Sequence, residues 1–572
     1  MDGWNLAEVY EALARAEPGA PCQRQGERVL SWGETDARAN GLASDLLRAG
    51  LGHQAKVAAY LYNGPEYLET YLAAFKAGLV PVNTNYRYSA SEVGYLLDNS
   101  DAEAVVFHSS LAGVVEQVRA RLPRVRRWYA VEDGGRVPGW AVPYEDVVAS
   151  GGPGASVQGP WGRSGDDLVL LYTGGTTGFP KGVMWRQDDL FNVLGAGGNP
   201  VLGLPPCATV EEVARRRSFA GIPLLPACPL MHGTGLFTAL INWNGGGCVV
   251  TLEGRRFDAF ELWETVARYR VSAVSIVGDA FARPMLACLQ ANPGRWDLSC
   301  LLLIVSSGVM WSRETKAGLM AALPRVVLWD SLGSSEGVGL AEATATGGRA
   351  QETATFRVGE RVKVLDEAGR PVALGSAEVG LVAISGYIPL GYYKDPARTA
   401  QSFRTVEGVR YSMPGDYATV GSDGNLHLLG RGSVVINTGG EKVFPEEVEE
   451  VLKSHPAVAD VVCVGVPDER FGEAVCAVVE LSGGGGEPGG GVPASGLPGR
   501  LTASRADPTL AASRADPALA AELVELVRSR LAHYKAPRRV LVVPSISRSP
   551  AGKVDYPALA ALARAEGEAP RL

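Results

Sequence analysis

Two spacings of apolar residues alternate along the first 150 positions. Residues 37–49 place their apolar side chains on one helical face, 57–61 form a short continuous apolar run, and 67–77 return to helical spacing. Gly78 closes that second helix, and the strand-like Leu79, Val80, Pro81 and Val82 follow it. Further apolar runs at 105–107, 168–172, 249–252, 274–277, 301–305 and 326–328 are separated by helix-sized stretches. Alternation of this kind predicts α/β layers around parallel sheet.

After residue 380 the pattern shortens. Runs at 381–385, 417–420 and 426–429, joined by Gly/Asp turns, predict a β-rich subdomain. A helix at 446–453 behind Pro445, strands at 461–464 and 475–480, and a helix near 520–531 predict a terminal α+β unit. The expected architecture is a large N-terminal domain, 1–431, and a small mobile C-terminal domain, 432–572. Within the latter, residues 482–499 hold nine glycines and three prolines, a composition that cannot build a packed core. A tandem duplication follows, ASRADPTLA at 503–511 and ASRADPALA at 512–520. Two copies are too few for a solenoid, so 482–520 reads as one exposed, flexible insertion.

Composition narrows the class. At 572 residues the chain is long enough to bury several cores, and glycine, 71 residues, is in surplus over the usual share of roughly 7%. A net charge of −8 without a basic block gives no footprint for nucleic acid. The eight cysteines form no C-x-x-C pair and read mainly as small buried apolar residues of a reducing compartment. Acidic Asp2, Glu8 and Glu11 do not fit a signal peptide, and no apolar window reaches the roughly 18 residues of a membrane span. A cytoplasmic location is expected.

The strand ending at Tyr172 runs into Thr173, Gly174, Gly175, Thr176, Thr177, Gly178, Phe179, Pro180, Lys181 and Gly182. Glycines let backbone N–H groups approach an anion, while hydroxyls and a lysine add donors and charge, which is what a polyphosphate requires. The segment is not a Walker loop, which would need Gly at 180 and Ser or Thr at 182.

These residues resemble the signature of the adenylate-forming superfamily, which comprises acyl-CoA synthetases, adenylation domains and beetle luciferases. Nine of ten positions over 173–182 fit its T-[SG]-G-[ST]-T-G-x-P-K-G pattern. The resemblance extends through Asp330, Ser331, Leu332, Gly333, Ser334, Ser335 and Glu336, then through the segment from Tyr411 to Asp416. It continues in Gly430, Arg431, Gly432 and Ser433, in the run from Asn437 to Lys442, and in Ser549, Pro550, Ala551, Gly552 and Lys553. What it implies is attack of a carboxylate on the α-phosphate of ATP to give acyl-AMP, followed by transfer to the thiol of CoA.

By the same resemblance Glu336 is the Mg²⁺ ligand and Asp416 accepts the ribose hydroxyls; Arg431 contacts the nucleotide and Lys553 bridges carboxylate and α-phosphate. Lys181 and the 173–178 loop hold phosphate; Ser307, Gly308, Val309 and the 330–335 segment border adenine. Val309, Met310 and Leu332 depart from the family's Ala-Pro and aromatic ring. His232 falls near the substrate carboxylate, although a core histidine fits the same position. Ser433 stands at the hinge where the family has Asp, and Gly439, Gly440 and Lys442 belong to the thioester motif, where the glycines would line a pantetheine path or make a simple tight turn. Gly233, Gly235, Gly337 and Gly339 would free space for an acyl group lined by Leu236, Phe237, Val277, Phe281 and Val338.

The preferred reading is an acyl-CoA synthetase for a fatty acid or a steroid side-chain carboxylate, using ATP, Mg²⁺ and CoA. Loading of a carrier protein or other acceptor, a luciferase-like oxygenase and a catalytically silent nucleotide-binding protein are the alternatives. The absence of an acid between Met231 and Leu240 disfavours α-amino acids as substrates. A homodimer is compatible with the sequence.

Overall fold

The computed structural model describes residues 3–152, 154–173, 180–199, 203–309, 311–345, 355–431, 435–438, 441–468, 472–482, 512–548 and 554–566. Packing groups them into two compact units, one of residues 1–371 with 382–414, the other of 372–381 with 415–572. The α/β expectation is borne out. The hinge position, Ser433, lies outside the described residues.

In the first unit two large sheets carry parallel cores. One runs, among the described residues, in the order Gly391–Tyr392, Lys181–Arg186, Leu168–Thr173, Val80–Asn83, Lys56–Tyr60, Ala102–His108, Arg127–Val131, Val142–Pro143. The other contains Ala273–Ile276, Leu303–Ser307 and Val327–Ser334 as parallel neighbours, with Gly337–Ala345 returning antiparallel. Their near-continuous apolar runs follow from burial on both faces.

Local chemistry sets the helices. The first long helix is Trp32–Arg48, beginning well before residue 37, because Ser31 accepts from the Glu34 amide and Glu34 reaches back to the Ser31 amide. The next, Pro65–Ala77, has proline in its first turn and ends at Gly78 with φ 66°. This helix is buried along its whole length, so its ionised side chains need partners. Glu66 meets Arg28, Glu69 meets Arg38, and Lys76 sits 2.7 Å from both Glu11 and Asp36.

In the second unit Asp416–Val420 pairs with Leu426–Arg431, and the hairpin Val458–Asp468/Gly472–Leu481 pairs in parallel with Arg539–Val543. Helices Pro445–Lys453 and Pro517–Arg530 pack into one apolar cluster, and Tyr556–Ala565 into a second. The last nine residues of the segment expected as an insertion, 512–520, are built into this unit. In the second repeat copy, Ser513 and Arg514 pair with Val542 and Leu541, Ala515 is buried, and Asp516 caps the helix that starts at Pro517. The same ASRADP letters therefore supply a strand, a cap and a helix start at 512–520, whereas 483–511, including the first copy, lies outside the described residues. Six cysteines, Cys22, Cys207, Cys228, Cys248, Cys463 and Cys476, are buried as expected, and Cys288 and Cys300 are partly exposed.

Candidate functional site

The glycine-rich segment is framed by antiparallel strands in which Thr173 stands opposite Lys181. The pairing brings the two ends of the loop together; Gly174, Gly175, Thr176, Thr177 and Gly178 are outside the described residues. Asn83, buried at the end of its strand, accepts from the Tyr172 amide at 2.5 Å and donates to the Tyr172 carbonyl at 2.8 Å. Its amide nitrogen also donates to the Met231 carbonyl at 2.6 Å. One side chain thus ties the strand feeding the loop to the residue before His232. Asn63 clamps the same segment, accepting from Leu230 N at 2.7 Å and donating to Cys228 O at 3.2 Å.

His232 is the half-buried N-cap of the helix Gly233–Asn244. At that helix start Thr234 Oγ1 donates to the Ser307 carbonyl at 3.4 Å, and a methyl group built on Gly233 would lie 3.5 Å from Leu171 and 3.7 Å from Ser335 Oγ. The structure therefore assembles His232, Ser307, Gly308, Ser335 and the end of the loop strand. Gly308 has φ +93°, which accounts for glycine there. Ser307 stands opposite Ser331 at the carboxyl ends of adjacent parallel strands, a place where α/β sheets receive ligands. Val309, Leu332 and Gly333 follow on these same two segments.

Asp330, at the start of the motif segment, has a protein partner that the motif does not imply. Its buried carboxylate accepts from Lys316 Nζ at 2.7 Å, and burial raises its pKa against the pull of that lysine. It acts as a buried anchor of its strand. The glycine at 235 has a packing reason: a Cβ there would fall 2.4 Å from the Pro229 carbonyl. Leu236 and Phe237 are buried on the helix, while Val277 and Phe281 belong to the apolar core, Phe281 with its ring 4.7 Å from that of Phe257. A Cβ on Gly337 would lie 3.0 Å from Ile384; Val338 is half-buried, and Gly339 is exposed at φ +70°.

Glu336 sits in the turn between the Val327–Ser334 and Gly337–Ala345 strands. Tyr392 donates its hydroxyl to Glu336 Oε1 at 2.8 Å, and Ser412 donates to the Glu336 carbonyl at 2.6 Å. Burial, and then the charge of Glu336, push the Tyr392 phenol up to about 12, so it remains a donor. The carboxylate's second oxygen has no hydrogen-bond partner among the described residues. A hard oxygen donor held on one side and available on the other fits Mg²⁺, which takes one or two carboxylates together with phosphate oxygens. Lys181 Nζ lies 3.1 Å from Asp395 Oδ2, and that pairing, with burial opposing it, holds the Asp395 carboxyl below the usual range after the larger effect of the Arg398 amide. Trp185, next along the Lys181 strand, donates its indole N–H to the Ser335 carbonyl at 3.0 Å.

In the second unit, Asp416 is buried and stands opposite Arg431 in the strand register. Lys442 lies on the strand Glu441–Val443, opposite Asn437. Gly439, Gly440, Ser433 and Lys553 lie outside the described residues. Arg548, on the approach to Lys553, is held by both oxygens of Asp460 at 2.5 and 2.9 Å.

Sequence reading missed Asn63, Asn83, Tyr392 and Asp395. Asn83 carried a faint signal as a polar residue closing the apolar run 79–82, and Asp395 before Pro396 is a readable helix cap. Tyr392 carried none.

The glycine-rich signature between paired strand ends at Thr173 and Lys181, with Glu336 held by Tyr392 and His232 at a helix start, fits a nucleotide-dependent enzyme of the adenylate-forming type. The chain belongs to the AMP-binding enzyme family, whose pattern matches residues 10–393, with the AMP-binding enzyme C-terminal domain at 447–553. It is 39% identical over 563 residues to 3-oxocholest-4-en-26-oate–CoA ligase of Rhodococcus rhodochrous, covering 96% of this chain and 94% of that one. It is 38% identical over 571 residues to the medium-chain acyl-CoA ligase Mig of Mycobacterium avium, covering 97% of each. The fold is also that of a benzoate CoA ligase from Burkholderia xenovorans, with a TM-score of 0.77 at 21% identity over 97% of this chain and 100% of that one. Among the described residues no helix is long and apolar enough to cross a membrane.

Proposed function

We propose that the protein is an AMP-forming acyl-CoA ligase acting on a medium- or long-chain fatty acid or a steroid side-chain carboxylate. The observation that carries this is 39% identity sustained along 96% of the chain to a steroid-carboxylate CoA ligase. In the first step a carboxylate oxygen bonds to the α-phosphorus of ATP while the bond to pyrophosphate breaks. In the second the CoA sulfur bonds to the acyl carbon, its proton passes to solvent or base, and AMP leaves.

The residue roles follow from the chemistry of each group. Lys181 and the 173–178 loop neutralise phosphate, and His232 orients the carboxylate. Ser307, Gly308, Val309 and the 331–335 segment receive adenine, and Asp416, with two oxygens, takes the ribose hydroxyls. Glu336 would hold Mg²⁺, which when bound supplies positive charge against the triphosphate. Lys553 supplies a mobile point charge to the adenylation step. Leu236, Phe237 and Val338 are the assigned acyl contacts, and the interior position of Val277 and Phe281 makes them its backing. Unpaired buried cysteines fit a reducing cytoplasm that contains ATP and CoA.

A carboxylate panel from short to long chain, with cholestenoic-type acids, assayed with and without CoA, tests the reading. AMP, pyrophosphate and an acyl-CoA thioester in equal amounts are expected. Pyrophosphate release with no thioester would instead favour the loading of a different acceptor.

A further inference from the structure

The residues from 390 to 399 connect two parts of the nucleotide machinery that are far apart in sequence. Gly391 and Tyr392 pair with Met184 and Val183 on the Lys181 strand, and Leu390 and Tyr393 donate their amides to the Met184 and Gly182 carbonyls at 2.9 and 2.8 Å. Asp395 caps the helix Pro396–Ser402 through Oδ1 and meets Lys181 through Oδ2. Thr399 Oγ1 accepts from the Tyr392 amide at 2.9 Å and donates to the Asp395 carbonyl at 2.8 Å. Gly391, at φ +143°, admits this fold-back, since a Cβ there would fall 2.3 Å from Thr399.

From this brace the Tyr392 hydroxyl reaches Glu336 Oε1 at 2.8 Å, across 56 residues of sequence. The tyrosine ring is fixed by the Phe403 edge at 5.9 Å and by the Arg398 guanidinium at 5.9 Å. A phenol so immobilised selects one orientation of the carboxylate. Glu336 is fixed a second time by Ser412 on its carbonyl, so main chain and side chain are set independently.

We infer that Tyr392 is a positioning residue for the metal–nucleotide site: it occupies one oxygen of Glu336 and aims the other at the divalent cation that accompanies ATP. Partners of this kind, hydrogen-bonded to a metal ligand, commonly carry 10- to 100-fold in affinity or activity. The inference rests on Glu336 as the metal ligand, and the experiment separates the two.

Mn²⁺ binding is measured by electron paramagnetic resonance on the full-length protein with a non-hydrolysable ATP analogue, for wild type, Tyr392→Phe, Tyr393→Phe and Glu336→Gln. Tyr393 is the control, because its hydroxyl makes an equivalent 2.8 Å bond to Asp101, away from Glu336. About tenfold weaker Mn²⁺ binding in Tyr392→Phe, with Tyr393→Phe at the wild-type value, is expected. Half-saturating Mg²⁺ for pyrophosphate exchange should shift equally, while CoA transfer from supplied acyl-AMP is retained. Wild-type Mn²⁺ affinity in Tyr392→Phe beside weakened binding in Glu336→Gln would overturn the role of Tyr392. Wild-type affinity in Glu336→Gln would overturn the metal assignment itself. A lowered melting temperature in Tyr392→Phe with unchanged metal affinity would make the hydrogen bond merely structural and likewise refute the inference.

Discussion

Asn83 offers the sharpest test of how the site is held. Its side chain is 3% exposed and serves three backbone groups, the amide and carbonyl of Tyr172 and the carbonyl of Met231. Asn83→Ala removes all three partners at once. Leaving a buried polar group unpaired costs about 1–3 kcal/mol, and water admitted to the space left by the amide recovers part of it. The expected loss is therefore about 3–5 kcal/mol, a large share of the 5–15 kcal/mol typical of a domain. Asn83→Asp keeps the shape but sets a carboxylate against two carbonyl oxygens, so at neutral pH it should cost more than alanine. Urea unfolding reads both variants. Pyrophosphate exchange, measured where the variant is still folded, should fall about tenfold to a hundredfold, because the bonds set both the loop strand and the His232 segment. A loss below about 1 kcal/mol for Asn83→Ala would refute the reasoning, since it would mean these groups find other partners.

Further outcomes follow from the buried ion pairs and the assigned lysine. For Glu11, burial alone would raise the pKa, but Arg163 and Lys76 outweigh it and hold it at about 2. The stability this confers is present above the ordinary value of 4.5 and is lost as pH falls toward 2, so the urea midpoint of wild type should drop more steeply over that window than that of Glu11→Gln; parallel curves would contradict it. Lys316→Met strands the Asp330 carboxylate and should cost about 3–5 kcal/mol by urea unfolding, with Asp330→Asn added in the same chain restoring most of it. Failure of that second substitution to restore stability would show that the lysine acts through packing. Lys553→Ala should abolish pyrophosphate exchange while sparing thioester formation from supplied acyl-AMP, and equal loss of both half-reactions would remove Lys553 from its adenylation role.

The motif residues were legible because each lies in a short stretch whose composition already states its chemistry. Thr173 to Lys181 reads as an anion loop without any knowledge of its neighbours. The brace and clamp residues were not legible, because their meaning lies in contacts 56, 89, 148 and 214 residues away. Asp330 shows the same limit: its motif position implied a nucleotide contact, and its buried pairing with Lys316 is visible only in the tertiary structure.

Periodicity by itself determined the alternating α/β order, because a side chain's spacing along a helix or strand is a local property of the backbone. Composition likewise marked the segment 482–499, since a run with nine glycines, three prolines and few apolar side chains has little to bury. Tertiary structure alone decided what the second copy of the duplicated nine-residue repeat becomes. ASRADP at 512–517 pairs with Arg539–Val543 and starts a helix, while 503–508 lies beyond the described residues. Nothing local in those letters names a strand partner; Ser513 and Arg514 become a strand because the fold sets them beside Val542 and Leu541.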